Sequence, residues 1–362
     1  MAGTKTVPTD RGSHPRLIIA LGAIARNYRH LQSIAPNAAI GAVVKADAYG
    51  LGVARVGPAL LDAGCQDFFV ASTREGIELR AALGPQSNIY VFNGFWTDDI
   101  QALRDHDLIP AVNDPDQFAA LERHASDLPF AVHIDSGMNR LGLEVDDAIA
   151  ISDEARNLDL RLVMSHLACA DEPNHALNDT QLKAFQRTIA AYPGIRASLA
   201  NSAGILLGPD YQFDLARPGI ALYGGAPCEG VNHPFEPAVS IEAPILQVRD
   251  IKPGDAVGYG ATFISSEERR IAIVATGYAD GLFRAAQNGG YARLGEHHLP
   301  ITGRVSMDLT ALDVTGAGDA ARAGEYVTFL GADLEALAGA SGTLSYEILV
   351  RLGQRFERVY VD

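Results

Sequence analysis

The chain is poor in cysteine, in basic residues and in long apolar runs. Its three cysteines, Cys65, Cys169 and Cys228, are far apart and show no CxxC spacing, so we expect a reducing compartment, no disulfide framework and no metal site. Lys and Arg number 29 against 44 Asp and Glu, and the net charge of −15 argues against nucleic acid or an anionic membrane as the main partner. No apolar stretch is long enough to span a bilayer, and residues 1–15 lack the apolar core of a secretory signal. We therefore expect a cytoplasmic protein.

An alternating pattern of strands and helices dominates the first part of the chain. The 362 residues are 48% hydrophobic, which suffices for a large core and two domains. Eight short apolar runs predict β-strands: Ala39–Ala46, Asp67–Ser72, Asn88–Asn93, Leu108–Asn113, Phe130–Asp135, Arg161–His166, Arg196–Asn201 and Leu215–Tyr223. Amphipathic helical runs separate most of them. Eight such repeats predict a (β/α)8 TIM barrel with a parallel sheet, and a doubly wound open sheet is the alternative.

The pattern changes after Gly224-Gly225, where a proline-rich linker begins. Glycine-punctuated apolar runs beyond it predict a mostly antiparallel β domain. They are Ala238–Val248, Ala256–Ile264, Arg270–Thr276, Tyr291–Leu294, Leu299–Val314 and Tyr326–Leu330, with one helix at Ser345–Arg351. We place the barrel at 14–235 and the C-terminal β domain at 236–362. The first predicted strand, about 15–21, is counted with the barrel, with packing against the C-terminal domain as the alternative.

Lys45 ends the apolar run Gly41-Ala-Val-Val-Lys45, and a loop of small residues follows it. A buried ammonium must lose its proton or find a partner. A desolvated lysine amine can attack a carbonyl and hold it as a Schiff base. The alternative is a lysine whose stem is buried and whose amine reaches solvent.

Polar residues gather where the predicted strands end, which is the edge at which TIM barrels place their catalytic groups. They are Lys45 and Tyr49, Asp135–Arg140, Ser165-His166, Asn201-Ser202 and Arg217–Ile220. The loops after the seventh and eighth strands commonly bind phosphate in this fold, and here they contain Ser202, Gly204 and Gly219. Lysine with a phosphate site fits pyridoxal 5′-phosphate (PLP). It also fits an aldolase-type Schiff-base barrel, and the residues alone leave both open.

Seven motifs, in order from about Leu17 to the end of the chain, resemble those of alanine racemases. They are Val44–Gly52, Asp135–Leu143, Ser165–Ala168, Asn201–Ala203, Arg217–Gly224, Gly277–Gly281 and Gly303–Asp308. The resemblance implies a PLP-binding TIM barrel with a C-terminal β domain. It also implies the interconversion of L-alanine and D-alanine, either for peptidoglycan or for alanine catabolism.

The resemblance further assigns roles to single residues. Lys45 would hold PLP and act as the base for the D-enantiomer, and Tyr278 would be the base for the L-enantiomer. His166 would bond Tyr278, and Arg217 would bond His166 and face the pyridine nitrogen of PLP. The remaining assignments are the phosphate ligands Tyr49, Ser202, Gly219, Ile220 and Tyr346, the substrate-carboxylate contacts Arg140 and the Met307 backbone, and the supporting residue Asp308.

One position departs from the family pattern. His133 stands where several members have a carbamylated lysine that orients the arginine matching Arg140. The family's head-to-tail dimer implies a homodimer whose active sites are shared between subunits. The alternatives are a broad-specificity amino-acid racemase, a decarboxylase of the same fold and a non-catalytic PLP carrier protein. The motifs around Tyr278 and Met307-Asp308 favour racemisation, and residues 238–362 argue against the carrier, which lacks a second domain.

Overall fold

A computed structural model describes residues 14–228 and 233–362 of the chain. The described chain divides into two units. One contains Ala20–Ala238, and the other combines residues 14–19 with Val239–Val361. Within these described ranges, no helix combines the length and the apolar content that a bilayer crossing requires.

The first unit is built on eight parallel strands. They are Ala39–Ile40 with Ala42–Val43, Asp67–Val70, Asn88–Val91, Leu108–Val112, Phe130–His133, Leu160–Met164, Ala197–Ser198 and Leu215–Ala216. The first seven pair in sequence order, and the eighth pairs in parallel with Ala39–Ile40. Arg217 N–H donates to the Ala200 carbonyl at 2.8 Å, which links the eighth strand to the seventh. The sheet therefore closes on itself as a barrel rather than ending in two open edges.

Helices follow the strands. They are Leu21–Ile34, Val53–Asp62, Thr73–Leu83, Ile100–Asp105, Pro115–His124, Val145–Ala150, Ser152–Arg156, Ala176–Ile189, Ser202–Leu206 and Pro209–Gln212. The start of helix Pro115–His124 shows how such a helix is capped. Asp114 accepts a hydrogen bond from the Gln117 N–H at 2.8 Å, directly before Pro115 at the start of its helix.

Several predicted strands extend too far. The first ends at Val43, so Lys45 follows the strand instead of ending it, and the eighth ends at Ala216 and is followed by the 3-10 turn Ile220–Tyr223. A strand ends where its neighbours stop offering backbone partners, and apolar composition continues past that point. After the fifth strand, two short helices, Val145–Ala150 and Ser152–Arg156, meet at Ile151.

The second unit is mostly antiparallel. Its strands are Arg16–Ala20, Val239–Ile251, Ala256–Val257, Phe263–Ile264, Arg269–Val274, Tyr291–Leu294, His297–Pro300, Thr310–Asp313, Tyr326–Leu330 and Glu357–Val361. Its helices are Leu334–Ser341 and Ser345–Val350. The long strand Val239–Ile251 pairs antiparallel with Arg16–Ala20 and with two other strands. The predicted fold class, a parallel barrel followed by a mostly antiparallel β domain, is confirmed.

Two predicted strands of this unit are each two strands. Leu299–Val314 is interrupted by a loop between His297–Pro300 and Thr310–Asp313, and that loop carries Met307 and Asp308. Ala256–Ile264 is a short hairpin. Helix Leu334–Ser341 and strand Glu357–Val361 were not predicted. The helix is rich in small residues and has weak apolar periodicity, and the strand lies at an edge of the sheet and begins with the charged residues Glu357 and Arg358.

Candidate active site

The turn after the first barrel strand has an unusual backbone. Ala46, Asp47, Ala48 and Tyr49 all adopt left-handed conformations, with φ between 54° and 55°. For non-glycine residues this conformation costs roughly 1–2 kcal/mol each. Such strain persists only where surrounding contacts impose it, and it concentrates at functional sites. Lys45 stands at the start of this strained turn.

Carboxylates hold the turn from both sides. Asp47 Oδ1 accepts the Val53 N–H at 2.7 Å, which ties the turn to the helix that follows. Glu75 Oε1 accepts the Ala46 N–H at 3.1 Å from the neighbouring βα unit. The backbone beside Lys45 is therefore fixed in a conformation that its own sequence disfavours.

Lys45 is half-buried, and its amine lies 5.9 Å from the centre of the Phe92 ring. Burial lowers the pKa of Lys45 below its ordinary value, and the positive charge of Arg140 lowers it further, whereas the negative charge of Glu75 opposes the shift. A lower pKa raises the fraction of neutral amine at physiological pH, and the neutral amine is the nucleophilic form.

Arg217 is buried at the end of the eighth strand. Its guanidinium donates to Ser198 Oγ and to the carbonyl of Ser165, and its carbon lies 5.9 Å from the Phe69 ring centre. Burial lowers the pKa of Arg217 to about 9, so the group remains charged at neutral pH. The resemblance implies a hydrogen bond to His166, and the guanidinium instead bonds the carbonyl of the residue before it.

One donor of Arg217 stays open. Its Nε is buried and has no hydrogen-bond partner in the described ranges 14–228 and 233–362. A buried unpaired N–H is costly, so this atom fits an acceptor that a bound ligand supplies.

The positive charges of Arg217 and Arg140 act on two histidines, His166 and His133. Burial lowers the pKa of His166 well below its ordinary value, and Arg217, Arg140, His133 and Lys45 add to the shift through their charges. Burial, with Arg217 and Arg140, also lowers the pKa of His133 to about 3. Both imidazoles are therefore neutral at physiological pH.

The tautomer of His133 follows from its neighbour Asn113. Asn113 Nδ2 donates to the carbonyls of Phe92 and Ala111, each at 3.1 Å, which assigns Oδ1 as the acceptor end of the amide. His133 Nδ1 lies 2.7 Å from this oxygen, so Nδ1 carries the proton. Nε2 of His133 then carries a lone pair and can only accept a hydrogen bond.

The predicted loop Asp135–Arg140 is organised by Asp135. Its carboxylate accepts backbone N–H groups from Gly137 and Met138 at 2.8 Å and from Arg140 at 3.1 Å. Burial raises the pKa of Asp135, but the backbone N–H donors outweigh this effect and keep the pKa below its usual value. The loop presents Arg140 at the surface of this unit, close enough for its charge to act on Lys45 and His166.

The predicted phosphate ligands of the barrel lie together. Ser202 Oγ accepts the Gly219 N–H at 2.9 Å and the Ala221 N–H at 3.3 Å, next to Ile220. A side chain at Gly219 would place its Cβ 2.2 Å from Tyr49 Oη, so only glycine admits the tyrosine hydroxyl there. Backbone N–H groups and two hydroxyls thus converge, as an anion-binding cradle requires.

These observations fit an anionic ligand that carries a carbonyl. Lys45 supplies a nucleophilic amine, Arg217 supplies an unpaired buried donor, and the Ser202–Gly219 cradle fits a phosphate. PLP combines a phosphate, an aldehyde and a ring nitrogen that accepts a hydrogen bond, so the residues present fit this cofactor.

The remaining predicted residues belong to the second unit. Tyr278 stands on a 3-10 turn, Tyr278–Asp280, and 43% of its surface is exposed. The Tyr278 N–H donates to the Ser306 carbonyl and the Ala279 N–H to the Met307 carbonyl, both at 3.0 Å. Tyr278 and Met307 are therefore brought together by two neighbouring loops.

Arg355 joins the same two loops through their acidic residues. It donates to Asp280 Oδ1 at 2.8 Å and to Asp308 Oδ1 at 2.6 Å. Asp280 Oδ2 in turn accepts the Gly277 N–H at 2.9 Å. Tyr346, the last predicted ligand, lies on helix Ser345–Val350 and is 38% exposed.

Sequence reasoning missed the residues that hold the others. Arg355, Glu75, Asn113 and Ser198 were not predicted, nor was Gln181, which is fully buried and donates to the His166 carbonyl at 2.9 Å. The capping pattern Ser72-x-x-Glu75 at a helix start was the one signal in the sequence that could have drawn attention to any of them.

Comparison with known protein families identifies relatives over both units. Residues 19–227 match the family described as "Alanine racemase, N-terminal domain", and residues 238–360 match "Alanine racemase, C-terminal domain". A biosynthetic alanine racemase of Agrobacterium fabrum is 43% identical over 96% of this chain and 93% of its own length. A catabolic alanine racemase of the same organism is 42% identical over 97% of this chain and 93% of its own length.

A solved structure shows the same architecture. The alanine racemase of Bartonella henselae, described as containing covalently bound pyridoxal phosphate, superimposes with a TM-score of 0.91 at 35% identity. The match covers 97% of this chain and 100% of that chain. The likeness therefore extends over both units and is not confined to the barrel.

Proposed function

Because this chain belongs to the alanine racemase family, we propose that it interconverts L-alanine and D-alanine with PLP held at Lys45. The main support for this proposal is the strained turn, which presents a half-buried lysine of lowered pKa beside the Ser202–Gly219 cradle. Relatives with biosynthetic and with catabolic roles are about equally similar, at 43% and 42% identity. The proposed reaction is therefore compatible with a biosynthetic role and with a catabolic role.

Five groups of the barrel unit would hold the cofactor. Lys45 would bind its aldehyde carbon, the Ser202–Gly219 cradle with Tyr49 and Ile220 would bind its phosphate, and Arg217 Nε would donate to its ring nitrogen. When bound, the cofactor supplies the electron sink that makes the Cα proton of the amino acid removable. Arg217 stays charged and cannot accept a proton at that nitrogen, which limits the strength of the sink and disfavours side reactions.

Racemisation needs a proton acceptor on each face of the substrate carbon. Lys45 handles the proton on the face of the D-enantiomer, and Tyr278 handles it on the face of the L-enantiomer. A free tyrosine has a pKa of about 10, so Tyr278 needs a hydrogen-bond partner, and the neutral imidazole of His166 is suited to that task. Arg140 and the Met307 backbone bind the substrate carboxylate, and Asp308 supports the Met307 loop.

We further infer that two subunits form each site, with Tyr278 facing a barrel across the subunit boundary. Support comes from the exposure of two predicted site residues in the second unit, since Tyr278 and Met307 are 43% and 53% exposed. Residues that act on the substrate but are exposed in a single chain can be covered when a second subunit binds.

The first experiment records the absorbance of the purified protein supplied with PLP and then measures D-alanine formed from L-alanine. We expect visible absorbance from bound cofactor and D-alanine as the product. In Lys45→Ala both should disappear, because the amine is lost both as the attachment point and as a base worth roughly 10²–10⁴-fold in rate.

Lys183→Ala is the matched control, since Lys183 is an exposed lysine of the same unit. It should retain both signals. Absorbance without D-alanine would contradict the assignment of alanine as substrate, and a Lys45→Ala protein that still bound PLP with the same spectrum would contradict the assignment of the cofactor site.

A further inference from the structure

The backbone after the second barrel strand and the backbone beside Lys45 meet at one carboxylate, that of Glu75. Glu75 Oε1 accepts the Ala46 N–H at 3.1 Å, and Oε2 accepts the Ala71 N–H at 2.7 Å. Ala46 follows Lys45 in the first βα turn, and Ala71 lies just after the second barrel strand. One side chain therefore ties the lysine turn to its neighbouring strand through both of its oxygens.

Glu75 is itself rigidly placed. It stands in the first turn of helix Thr73–Leu83, and its own N–H donates to the capping hydroxyl of Ser72 at 3.4 Å. An acidic residue in the first turn is also favoured by the helix dipole. The Glu75 carboxylate therefore has a fixed position from which it can restrain the strained turn after Lys45.

The segment that it holds needs an anchor. Ala46 is the first of four consecutive residues in the left-handed conformation, and none of them is glycine. Without external restraint such residues return to the right-handed or extended regions. Rotation of the Ala46 peptide would redirect Lys45, because the two residues share that peptide bond.

We propose that Glu75 is a positioning residue that fixes the direction of the Lys45 amine and keeps a negative charge near it. The proposal rests on the proposed role of Lys45 in the reaction. Two charged residues act on that amine in opposite directions, with Arg140 lowering and Glu75 raising its pKa. Loss of the Glu75 charge should leave Arg140 unopposed.

The test compares Glu75→Gln with Glu78→Gln. Glutamine keeps the size of Glu75 but has one acceptor oxygen for two backbone N–H donors, and it has no charge. Glu78 lies on the same helix and is paired with Arg74 at 3.2 Å on the surface. The control therefore removes the same charge from the same helix without touching the lysine turn.

The first measurement uses protein freed of PLP. Pulses of acetic anhydride at a series of pH values acylate neutral amines, and mass spectrometry of the peptides gives an apparent pKa for Lys45 with Lys183 as internal reference. We expect Glu75→Gln to lower the apparent pKa of Lys45, because the opposing charge is lost, and Glu78→Gln to leave it as in the wild type.

The second measurement follows capture of added PLP by its absorbance, with circular dichroism to show that each variant is folded. We expect capture to be about tenfold slower in Glu75→Gln, because loss of the amine's fixed direction outweighs the gain in its neutral fraction. A Glu75→Gln protein that matches Glu78→Gln in both measurements overturns the proposal, while Lys45→Ala still reports separately on the proposed function.

If Glu75→Gln does not fold, Glu75→Asp carries the test. Aspartate keeps the charge but is one methylene shorter, so it separates charge from position. We expect an apparent Lys45 pKa near the wild-type value and slower PLP capture. Capture at the wild-type rate in Glu75→Asp would overturn the proposal.

Discussion

His133 is a histidine that burial keeps neutral over the range in which histidines normally gain a proton. Its pKa falls from an ordinary value of 6.5 to about 3, and its Nδ1–H is used by Asn113 Oδ1. The unfolded chain would protonate the same residue near pH 6.5. Between pH 6.5 and pH 3 the unfolded state therefore binds more protons than the folded state, and folding loses stability as the pH falls.

Replacing His133 by glutamine should make the protein less sensitive to acid. The glutamine side chain can still donate to Asn113 but cannot titrate, so one contribution to the pH dependence disappears. Between pH 7 and pH 5 we expect the free energy of unfolding to fall by roughly 1–2 kcal/mol less than in the wild type. Urea unfolding of the PLP-free protein at both pH values measures this difference.

The control for this change is His124→Gln, which alters an exposed histidine at the end of helix Pro115–His124. Its pH dependence should equal that of the wild type. An equal loss of stability in His133→Gln and the wild type between pH 7 and pH 5 would mean that His133 titrates normally in the folded protein.

At the residue scale, the sequence reveals groups that do chemistry better than groups that hold them. Lys45 and Arg217 follow apolar strands, and a charge in that position needs a reason that can be read from the pattern alone. Glu75 and Asn113 are polar residues in ordinary helical and loop contexts. Their partners are backbone N–H and carbonyl groups of distant segments. Residue types alone do not indicate where those backbone groups lie.

At the scale of elements, two loops of the second unit are fastened to each other. The turn Tyr278–Asp280 and the Met307–Asp308 segment share backbone hydrogen bonds, and Arg355 bonds an acid in each. Asp280 is only 1% exposed, so its negative charge depends on this arginine for compensation. Arg355 thereby couples the position of Tyr278 to that of Met307.

Replacing Arg355 by methionine should loosen both loops. Because the buried Asp280 carboxylate loses its charged hydrogen-bond donor, we expect the free energy of unfolding to fall. We also expect kcat/KM for L-alanine to fall by about tenfold, since Tyr278 and Met307 are no longer held in one arrangement. Arg355→Lys should recover part of both losses.

Arg322→Met provides the comparison, because Arg322 forms an exposed ion pair with Glu325 in the same unit. Surface pairs contribute about 0–1 kcal/mol, and no effect on kcat/KM is expected. Identical behaviour of the Arg355 and Arg322 variants would show that the two loops keep their arrangement without Arg355.

The elements themselves were predictable to different degrees. Eight repeats of strand and helix identify the barrel because a parallel sheet needs a crossover after each strand. The loop with Met307 and Asp308 was predicted as part of one long strand, since its apolar residues continue the alternation on both sides. Strand Glu357–Val361 pairs at the edge of its sheet, where burial on one side leaves little apolar signal.

At the scale of the whole molecule, the proposed catalytic residues are divided between the two units. Lys45, Arg217 and His166 belong to the unit of Ala20–Ala238, and Tyr278 and Met307 belong to the other. A complete racemisation needs residues of both units at the same substrate molecule. The proposed homodimer, in which each barrel receives Tyr278 from the second copy, satisfies this requirement.

Mixing two inactive variants tests this arrangement. Lys45→Ala and Tyr278→Phe should each be inactive alone, but a mixed dimer contains one site with both native residues. If subunits exchange at random, half of the dimers are mixed and each has one intact site, so we expect about a quarter of wild-type activity. Native mass spectrometry of differently tagged subunits confirms the exchange, and mixed dimers without activity would place both bases in one chain.

The strand Arg16–Ala20 has a consequence for synthesis on the ribosome. It pairs with Val239–Ile251, and the sheet places it between that strand and Glu357–Val361. Its two neighbours are therefore translated only after the entire barrel. At 5–20 residues per second the second unit takes on the order of ten seconds to emerge. During that interval the barrel can close, but neither edge of strand Arg16–Ala20 has its partner strand yet. Both edges can then pair with other nascent chains on the same polysome.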